Sequence, residues 1–339
     1  MAEHFGLDIG ADSIKIVQFR KEKNSYLVTA AGMAKNPLAN FNLEDEKNFV
    51  ALAEAIKKLK QDARVTTNAA VVSLPERSAF SQVIEMPKMS EKELEQAVPW
   101  EAENVIPRSL AEVNLDWEVI EEEQTSEGQK IKVLLVAAPS NLIDKYLQLL
   151  KLAEVETLSL ETESLAAVRA LRPVIQTGNA ALINMGEKSL DVFLVHLGHL
   201  CLSRQLPSAG EALTRTVAST LGLDLTAAEE YKKAYGLSPQ LEGKVAAALT
   251  PVLSSAVNEI QKTLRFYEET YKESLKLAII FGGTALLPGI TEYLTRVLGL
   301  EVQVADPFAV LVGNQPDMQV FKANAPLFTV ACGLAMKEV

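Results

Sequence analysis

Only two of the 339 residues are cysteine, Cys201 and Cys332, and both stand in apolar surroundings. A disulfide framework is excluded on that count, and two reduced, buried thiols are expected. Histidine occurs three times, and no cysteine or histidine spacing suits a metal. His196 and His199 flank Gly198 in HLGHL with no third ligand nearby, so they read as turn or edge residues. No apolar run approaches the roughly 20 residues of a transmembrane helix. Positive charge is in deficit, with 33 Lys and Arg against 44 Asp and Glu and a net charge of −11. That balance, and the lack of a basic stripe interleaved with aromatics, argues against nonspecific nucleic-acid binding and direct adhesion to anionic lipid. The start MAEHFGLDIG has no basic region followed by an apolar stretch, so no secretory signal is expected.

What is present is a repeat. Gly6 to Val17 reads GLDIGADSIKIV, and Ala181 to Val195 reads ALINMGEKSLDVFLV. Aligned, Asp8 meets Asn184, Gly10 meets Gly186 and Ser13 meets Ser189. Each stretch is an apolar strand, a glycine-containing reversal and a second apolar strand, the pattern of a β-hairpin. A single hairpin of this kind is equally an ordinary tight turn. Two of them suggest similar lobes facing each other across a cleft, with turn backbone free to approach an anion. A third glycine element, LAIIFGGTALLP from Leu277 to Pro288, places Gly282, Gly283 and Thr284 after a buried strand, with Pro288–Gly289 opening a helix through Leu298. At 48% hydrophobic, the chain can bury more than one core.

Along the chain, the first lobe is expected over 1–78: hairpin, strand at Tyr26 to Ala31, helix at about Glu44 to Asp62 and strand at Ala69 to Ser73. A compact inserted α+β subdomain is expected over 79–155. In it, a strand from Phe80 to Glu85 precedes a helix that Ser90 and Glu93 open as a capping box. Strands at Val113 to Ile120 and Ile131 to Ala138 are separated by Glu121, Glu122 and Glu123, read as an acidic, solvated turn. A helix from Asn141 to Ala153 and a strand near Thr157 to Leu160 follow. The chain returns to the first lobe over 156–178. The second lobe, 179–320, holds its hairpin, a strand at Leu200 to Gln205, helices at Glu211 to Leu221 and Thr226 to Tyr235, and a long helix at Glu242 to Ser274 that Pro251 starts or kinks. A final helix over 321–339 returns to the first lobe.

The repeated hairpins, the Gly-Gly-Thr loop and an AG-x-x-x-T element (Ala209, Gly210, Thr214) resemble the actin-like ATPase superfamily. Ala228, Glu229, Lys232 and Gly236, in A-E-x-x-K-x-x-x-G, resemble its FtsA-like branch. The implied fold class is α/β: an actin-like two-lobed fold with duplicated hairpin-start subdomains and an inserted FtsA/PilM-type α+β subdomain. VIEMPKMSEKELEQAVPWEAENVIPRSLAEVNLDW is similar to the inserted subdomain of the PilM family, and the ending LFTVACGLAMKEV reads as a buried helix, unlike the basic amphipathic tail of FtsA.

The resemblance implies an ATP site. Its phosphate 1 turn is Asp8, Gly10, Ala11, Asp12, Ser13 and Lys15, and its phosphate 2 turn is Asn184, Gly186, Glu187, Lys188 and Ser189. Its adenosine side is Gly210, Thr214, Glu229, Lys232, Gly282, Gly283 and Thr284. Read from residues alone, Thr226 and Glu229 equally make a capping box, Lys232 an exposed lysine and Lys15 an outward strand residue. Asp8 is implied to hold Mg²⁺ through water. Hydrolytic relatives carry an aspartate where this chain has Asn184, so slow or absent hydrolysis is expected. Glu161 and Glu163 lie where relatives orient water, and neither is assigned a role. The PilM resemblance further implies a cytoplasmic scaffold of type IV pilus assembly that binds the N-terminal peptide of a PilN-like inner-membrane protein and meets the membrane only through it. Met86, Met89 and Trp100, with Val98 and Ile106, form either an apolar groove for that peptide or core of the insert. An FtsA-like filament-forming cell-division ATPase and an actin-fold phosphotransferase stand as alternatives, and a homo-oligomer is left open.

Overall fold

The computed structural model describes residues 3–22, 25–38, 45–125, 128–206, 210–309 and 318–339. Glu44 and Ala209 lie outside the described residues. The chain begins with β1 (Phe5–Ile9), β2 (Ser13–Glu22), β3 (Ser25–Lys35), α1 (Glu46–Asp62) and β4 (Ala69–Leu74). It then forms β5 (Phe80–Pro87), α2 (Glu91–Val105), β6 (Val113–Thr125), β7 (Gly128–Pro139), α3 (Ser140–Leu152), β8 (Glu156–Thr162) and α4 (Glu163–Ile175). Next come β9 (Ala180–Met185), β10 (Leu190–His196), β11 (His199–Leu206), α5 (Gly210–Leu221), α6 (Leu225–Tyr235) and α7 (Lys244–Tyr271). The chain closes with β12 (Leu277–Phe281), α8 (Ile290–Leu298), β13 (Glu301–Val304), α9 (Met318–Ala323) and α10 (Thr329–Ala335).

Two five-stranded sheets repeat one topology. The first has the order β3-β2-β1-β4-β8 and the second β11-β10-β9-β12-β13. In each, an antiparallel meander is extended by two parallel strands on the side of its first strand. The all-buried strands FGLDI and AAVVSL explain this placement, since strands covered on both faces lose the polar alternation of a surface strand.

Helices α4 and α10 lie between the two sheets. Their buried residues share one core with Val17 and Val71 of the first sheet and Leu182, Phe193 and Ile279 of the second. All seven residues of α10 are buried. Gly333 makes this crossing possible, because a Cβ there would fall 1.8 Å from the Ala166 carbonyl oxygen. On its outer face the first sheet is covered by α1 and α3. Asp45 caps α1 by accepting from the Lys47 amide, and Leu52, Ala53, Ile56 and Leu59 form its apolar stripe. The second sheet is covered by α5, α6, α7 and α8.

Between β4 and β8 the chain leaves the first sheet and builds an antiparallel sheet of its own, ordered β5-β7-β6. Its core combines Leu94, Val98 and Ala102 of α2 with Ile131, Val133 and Leu135 of β7. Ser90 and Glu93 open α2 with the expected capping box. Tyr146, Leu149 and Leu150 of α3 join the core of the first sheet, so the core peculiar to this unit ends at β7.

Glu121, Glu122 and Glu123 are strand residues of β6, which corrects the reading of an acidic turn. They pair in register with Lys132, Ile131 and Lys130, just past an irregularity at Val119. Glu121 meets Lys132 at 2.8 Å and Glu122 meets Lys88 at 2.5 Å. Glu122 and Glu123 remain exposed, as a solvated run should be, so it is the turn and not the solvation that is corrected. His196 and His199 do bound the two-residue turn at Leu197 and Gly198, and His196 stacks on Tyr271 with ring centroids 4.0 Å apart. Among the described residues no helix is long and apolar enough to cross a membrane.

Candidate functional site

The two repeated turns are built alike. The Gly10 amide donates to the Ser13 carbonyl at 3.1 Å, and the Gly186 amide to the Ser189 carbonyl at 3.0 Å. Asp8 stands opposite Lys15 in the first hairpin, as Asn184 stands opposite Asp191 in the second. Each turn is braced by the chain that follows its meander. Asn36 donates through Nδ2 to the Gly10 carbonyl at 2.8 Å, and the Gly210 amide donates to the Gly186 carbonyl at 3.0 Å.

Between the turns lies a cleft of about 300 Å³. Gly10, Ala11, Pro75, Glu76, Arg77 and Glu163 line it from the first sheet's side, and Lys188, Ser189, Asp191 and Gln205 from the second. Lys15 does not point outward: its Nζ donates to Asp8 Oδ2 at 3.1 Å, and Ser73 Oγ donates to Asp8 Oδ1 at 3.0 Å. Asn184 Nδ2 donates to Glu163 Oε2 at 3.2 Å and to Asp191 Oδ2 at 3.4 Å. Ser189 Oγ donates to Asp191 Oδ2 at 2.8 Å, whereas Asp191 Oδ1 is buried without a hydrogen-bond partner.

The cleft is acid-rich, and its carboxyls are shifted accordingly. Desolvation, followed by the charges of Asp8 and Asp191, pushes Glu163 well above the usual carboxylate range. Burial also raises Asp191, against hydrogen bonds from Ser189, Gln205 and Asn184. At the mouth, desolvation and then the facing charge of Asp12 raise Glu187. Lys15, Lys188 and Arg77 are the cations placed near these groups.

The residues that the resemblance assigns to adenosine converge beside the second turn. Thr214 Oγ1 donates to the Gly210 carbonyl at 3.1 Å. Lys232 Nζ donates to Thr214 Oγ1 at 2.8 Å and pairs with Glu229 at 2.6 Å. Lys232 is buried, and Glu229 is no cap, since Asp224 caps α6 by accepting from the Ala227 amide. Against the cost of burial, hydrogen bonds from Lys232 and Thr214 hold the Glu229 carboxyl below its usual value. A Cβ on Gly210 would lie 3.1 Å from Thr284 Oγ1. Gly282, at φ 85°, lets the loop with Gly283 and Thr284 run beside Asn184, whose Oδ1 would lie 2.9 Å from a Cβ.

Three carboxylates in or near this region separate in role. Glu163 faces the cleft. Glu161 points away from it, paired with Arg169 at 2.7 Å and Lys337 at 2.6 Å. Glu76, which the sequence reading passed over, is buried where the chain leaves the first sheet. It accepts from the Ser164 amide at 3.0 Å, from Ser164 Oγ at 2.9 Å and from Ser203 Oγ of β11. Asp191 was passed over too, although an acid inside the apolar run LDVFLV is a signal of a paired or functional carboxylate.

On the three-stranded unit, Met86, Val98 and Ile106 lie in the core and Met89 packs against it. Trp100 of the same helix is 76% exposed. Its indole is the one side chain of this set that is largely exposed.

The sequence profile described as type IV pilus assembly protein PilM matches residues 6–339. Cell division protein FtsA of Bacillus subtilis is 24% identical over 289 residues, covering 78% of this chain and 61% of that protein. FtsA of Streptococcus pneumoniae is 22% identical over 353 residues, covering 91% and 76%. The chain thus spans less than two thirds of the length of the B. subtilis relative. The structure of a PilM–PilN type IV pilus biogenesis complex matches with a TM-score of 0.85 and 27% identity, over 99% of this chain and 98% of that one. The ethanolamine utilization protein EutJ of Carboxydothermus hydrogenoformans matches at 0.60 and 16% identity, over 99% and 90%. MreB5 of Spiroplasma citri bound to AMPPNP matches at 0.54 and 13%, over 98% and 95%. At those identities the last two share the fold alone. With its duplicated sheets, paired glycine turns and a profile match over nearly its whole length, this actin-like chain belongs to the PilM family of type IV pilus assembly proteins.

Proposed function

We propose that the chain is an ATP-binding scaffold of type IV pilus assembly that holds the N-terminal cytoplasmic peptide of a PilN-like inner-membrane protein. The observation that carries this reading is the match to the PilM–PilN complex along 99% of the chain. Through that partner the scaffold sits at the inner face of the inner membrane. The exposed indole of Trp100 supplies an aromatic anchor of the kind that dominates peptide interfaces.

The cleft fits a nucleotide as its metal complex. The twin glycine turns leave room for a phosphate chain, while the carboxylates of Asp8, Asp12, Glu163, Glu187 and Asp191 repel one that carries no cation. Asp8 and Asp191, whose Oδ1 lacks a partner, are the groups that would hold hydrated Mg²⁺. The ion would supply charge neutralisation of the phosphates. Slow or absent hydrolysis fits Asn184, a neutral amide in place of a carboxylate.

Two calorimetric titrations test the reading. Mg²⁺-dependent ATP binding is expected, and no heat and no thermal stabilisation at millimolar ATP would remove the nucleotide part. A synthetic peptide from the partner's cytoplasmic N-terminus is expected to bind, and Trp100→Ala to weaken it without changing the melting temperature. A peptide that fails to bind the wild-type chain removes the scaffold assignment.

A further inference from the structure

Arg77 has no assigned part in this site, and its position calls for one. It follows Glu76 in the short 3₁₀ turn Glu76–Ser78 that links β4 to the three-stranded unit. The turn is held firmly. Buried Glu76 accepts from Ser164 at the start of α4 and from Ser203 across the cleft. The Ser78 amide donates to the Pro75 carbonyl at 2.9 Å and the Ala79 amide to the Glu76 carbonyl at 3.2 Å. Arg77 is exposed and lines the cleft, and it makes no ion pair among the described residues. Its charge acts on Asp191, which lines the same cleft.

The residues that share the cleft with Arg77 indicate what it would meet. The cluster of Gly210, Thr214, Glu229, Lys232 and Thr284 adjoins the Gly186 turn. The cleft itself is lined by Gly10 and Ala11 of the first turn, Lys188 and Ser189 of the second, and Arg77, Glu163 and Asp191, and by none of the residues of the adenosine cluster. A nucleotide with its base at that cluster would carry its phosphates past the Gly186 turn into the cleft that Arg77 lines.

Resting on the nucleotide reading above, we propose that Arg77 binds the terminal phosphate and makes the cleft discriminate nucleoside triphosphate from diphosphate. A planar guanidinium on a rigid turn suits bidentate capture of a phosphate better than a flexible ammonium does. Because the turn is also the entry to the three-stranded unit, the phosphate count is read at the root of that unit.

The test is calorimetric titration of the whole chain with ATP and with ADP, each with Mg²⁺, for the wild type, Arg77→Ala and Arg77→Lys. Arg77→Ala is expected to weaken ATP roughly tenfold or more and ADP less than about twofold. Arg77→Lys is expected to fall between the two in its preference for ATP. Equal losses for both nucleotides, or no loss for either, overturn the assignment. A wild-type chain that binds neither nucleotide removes the nucleotide reading and this inference with it. A wild type that binds both, with Arg77→Ala keeping the same preference, removes this inference alone. Thermal melts of the unliganded variants check the fold, and Arg77→Lys carries the comparison if Arg77→Ala unfolds.

Discussion

Asn184 donates to both Glu163 and Asp191, so its amide holds two acids that would otherwise face each other. Asn184→Asp removes the donor and adds a third carboxyl. The unliganded variant is expected to lose about 1–3 kcal/mol at neutral pH. Mg²⁺ should restore part of that loss, as thermal melts with and without the ion would show. Glu163 bears on pH. Its carboxyl titrates in the fold well above its ordinary value of 4.5, so its contribution is fully present below that value and is lost as pH rises through the folded pKa. Glu163→Gln keeps an acceptor for Asn184 and cannot ionise. It is expected to melt higher than wild type at about pH 8, with the difference vanishing near about pH 4. At this scale the glycines of both turns were legible, because only a small set of residues permits such reversals. Asp191 was legible in principle, since aligning the hairpins two residues beyond Ser13 and Ser189 sets it against Lys15. Glu76 was not, because its partners Ser164 and Ser203 are distant in the chain.

Among the elements, α10 shows how a short segment can govern the whole assembly. Its seven buried residues include Gly333, pressed against Ala166 of α4. Gly333→Ala forces the two helices apart, and a loss of about 2–4 kcal/mol is expected in a denaturant titration. Periodicity and apolar runs located most elements within a few residues of their observed bounds. The misread ones fail for a common reason. The glutamates of β6 look like a loop until Lys132 and Lys130 of β7 are placed across the ladder. The capping box at Thr226 lost to Asp224, whose side chain reaches the Ala227 amide at 2.9 Å. Local pattern offers both caps, and only the path of the preceding chain chooses between them.

For the whole molecule, Glu76 adds a polar link between the lobes at the cleft, accepting from Ser164 of α4 and Ser203 of β11. Glu76→Ala leaves Ser164 and Ser203 without their acceptor, and a loss of about 1–3 kcal/mol is expected. Amide exchange should rise at the start of α4 and in β11 before it rises in β1 or β9, which sit deep in the two cores. Uniform faster exchange across both sheets would instead mean that Glu76 stabilises the fold generally and does not join the lobes. Burial raises the pKa of Glu76 against the hydrogen bonds from Ser203 and Ser164, so its net contribution to stability is fully present below its ordinary value of 4.5 and falls as pH rises through the folded pKa.

The duplicated architecture was already marked in the linear chain, where two hairpins share apolar flanks and turn glycines. The separate three-stranded unit was marked there too, through its capping box and its own apolar strands. Which side chains serve the cleft was decided by tertiary structure. Lys15 turns inward because Asp8 lies opposite it, and Glu161 turns away because Arg169 and Lys337 draw it. Met86 and Trp100 part company because the core of the third sheet reaches one and not the other. A side chain's direction depends on the charge and space that distant segments bring beside it, and those segments meet only when the chain has folded.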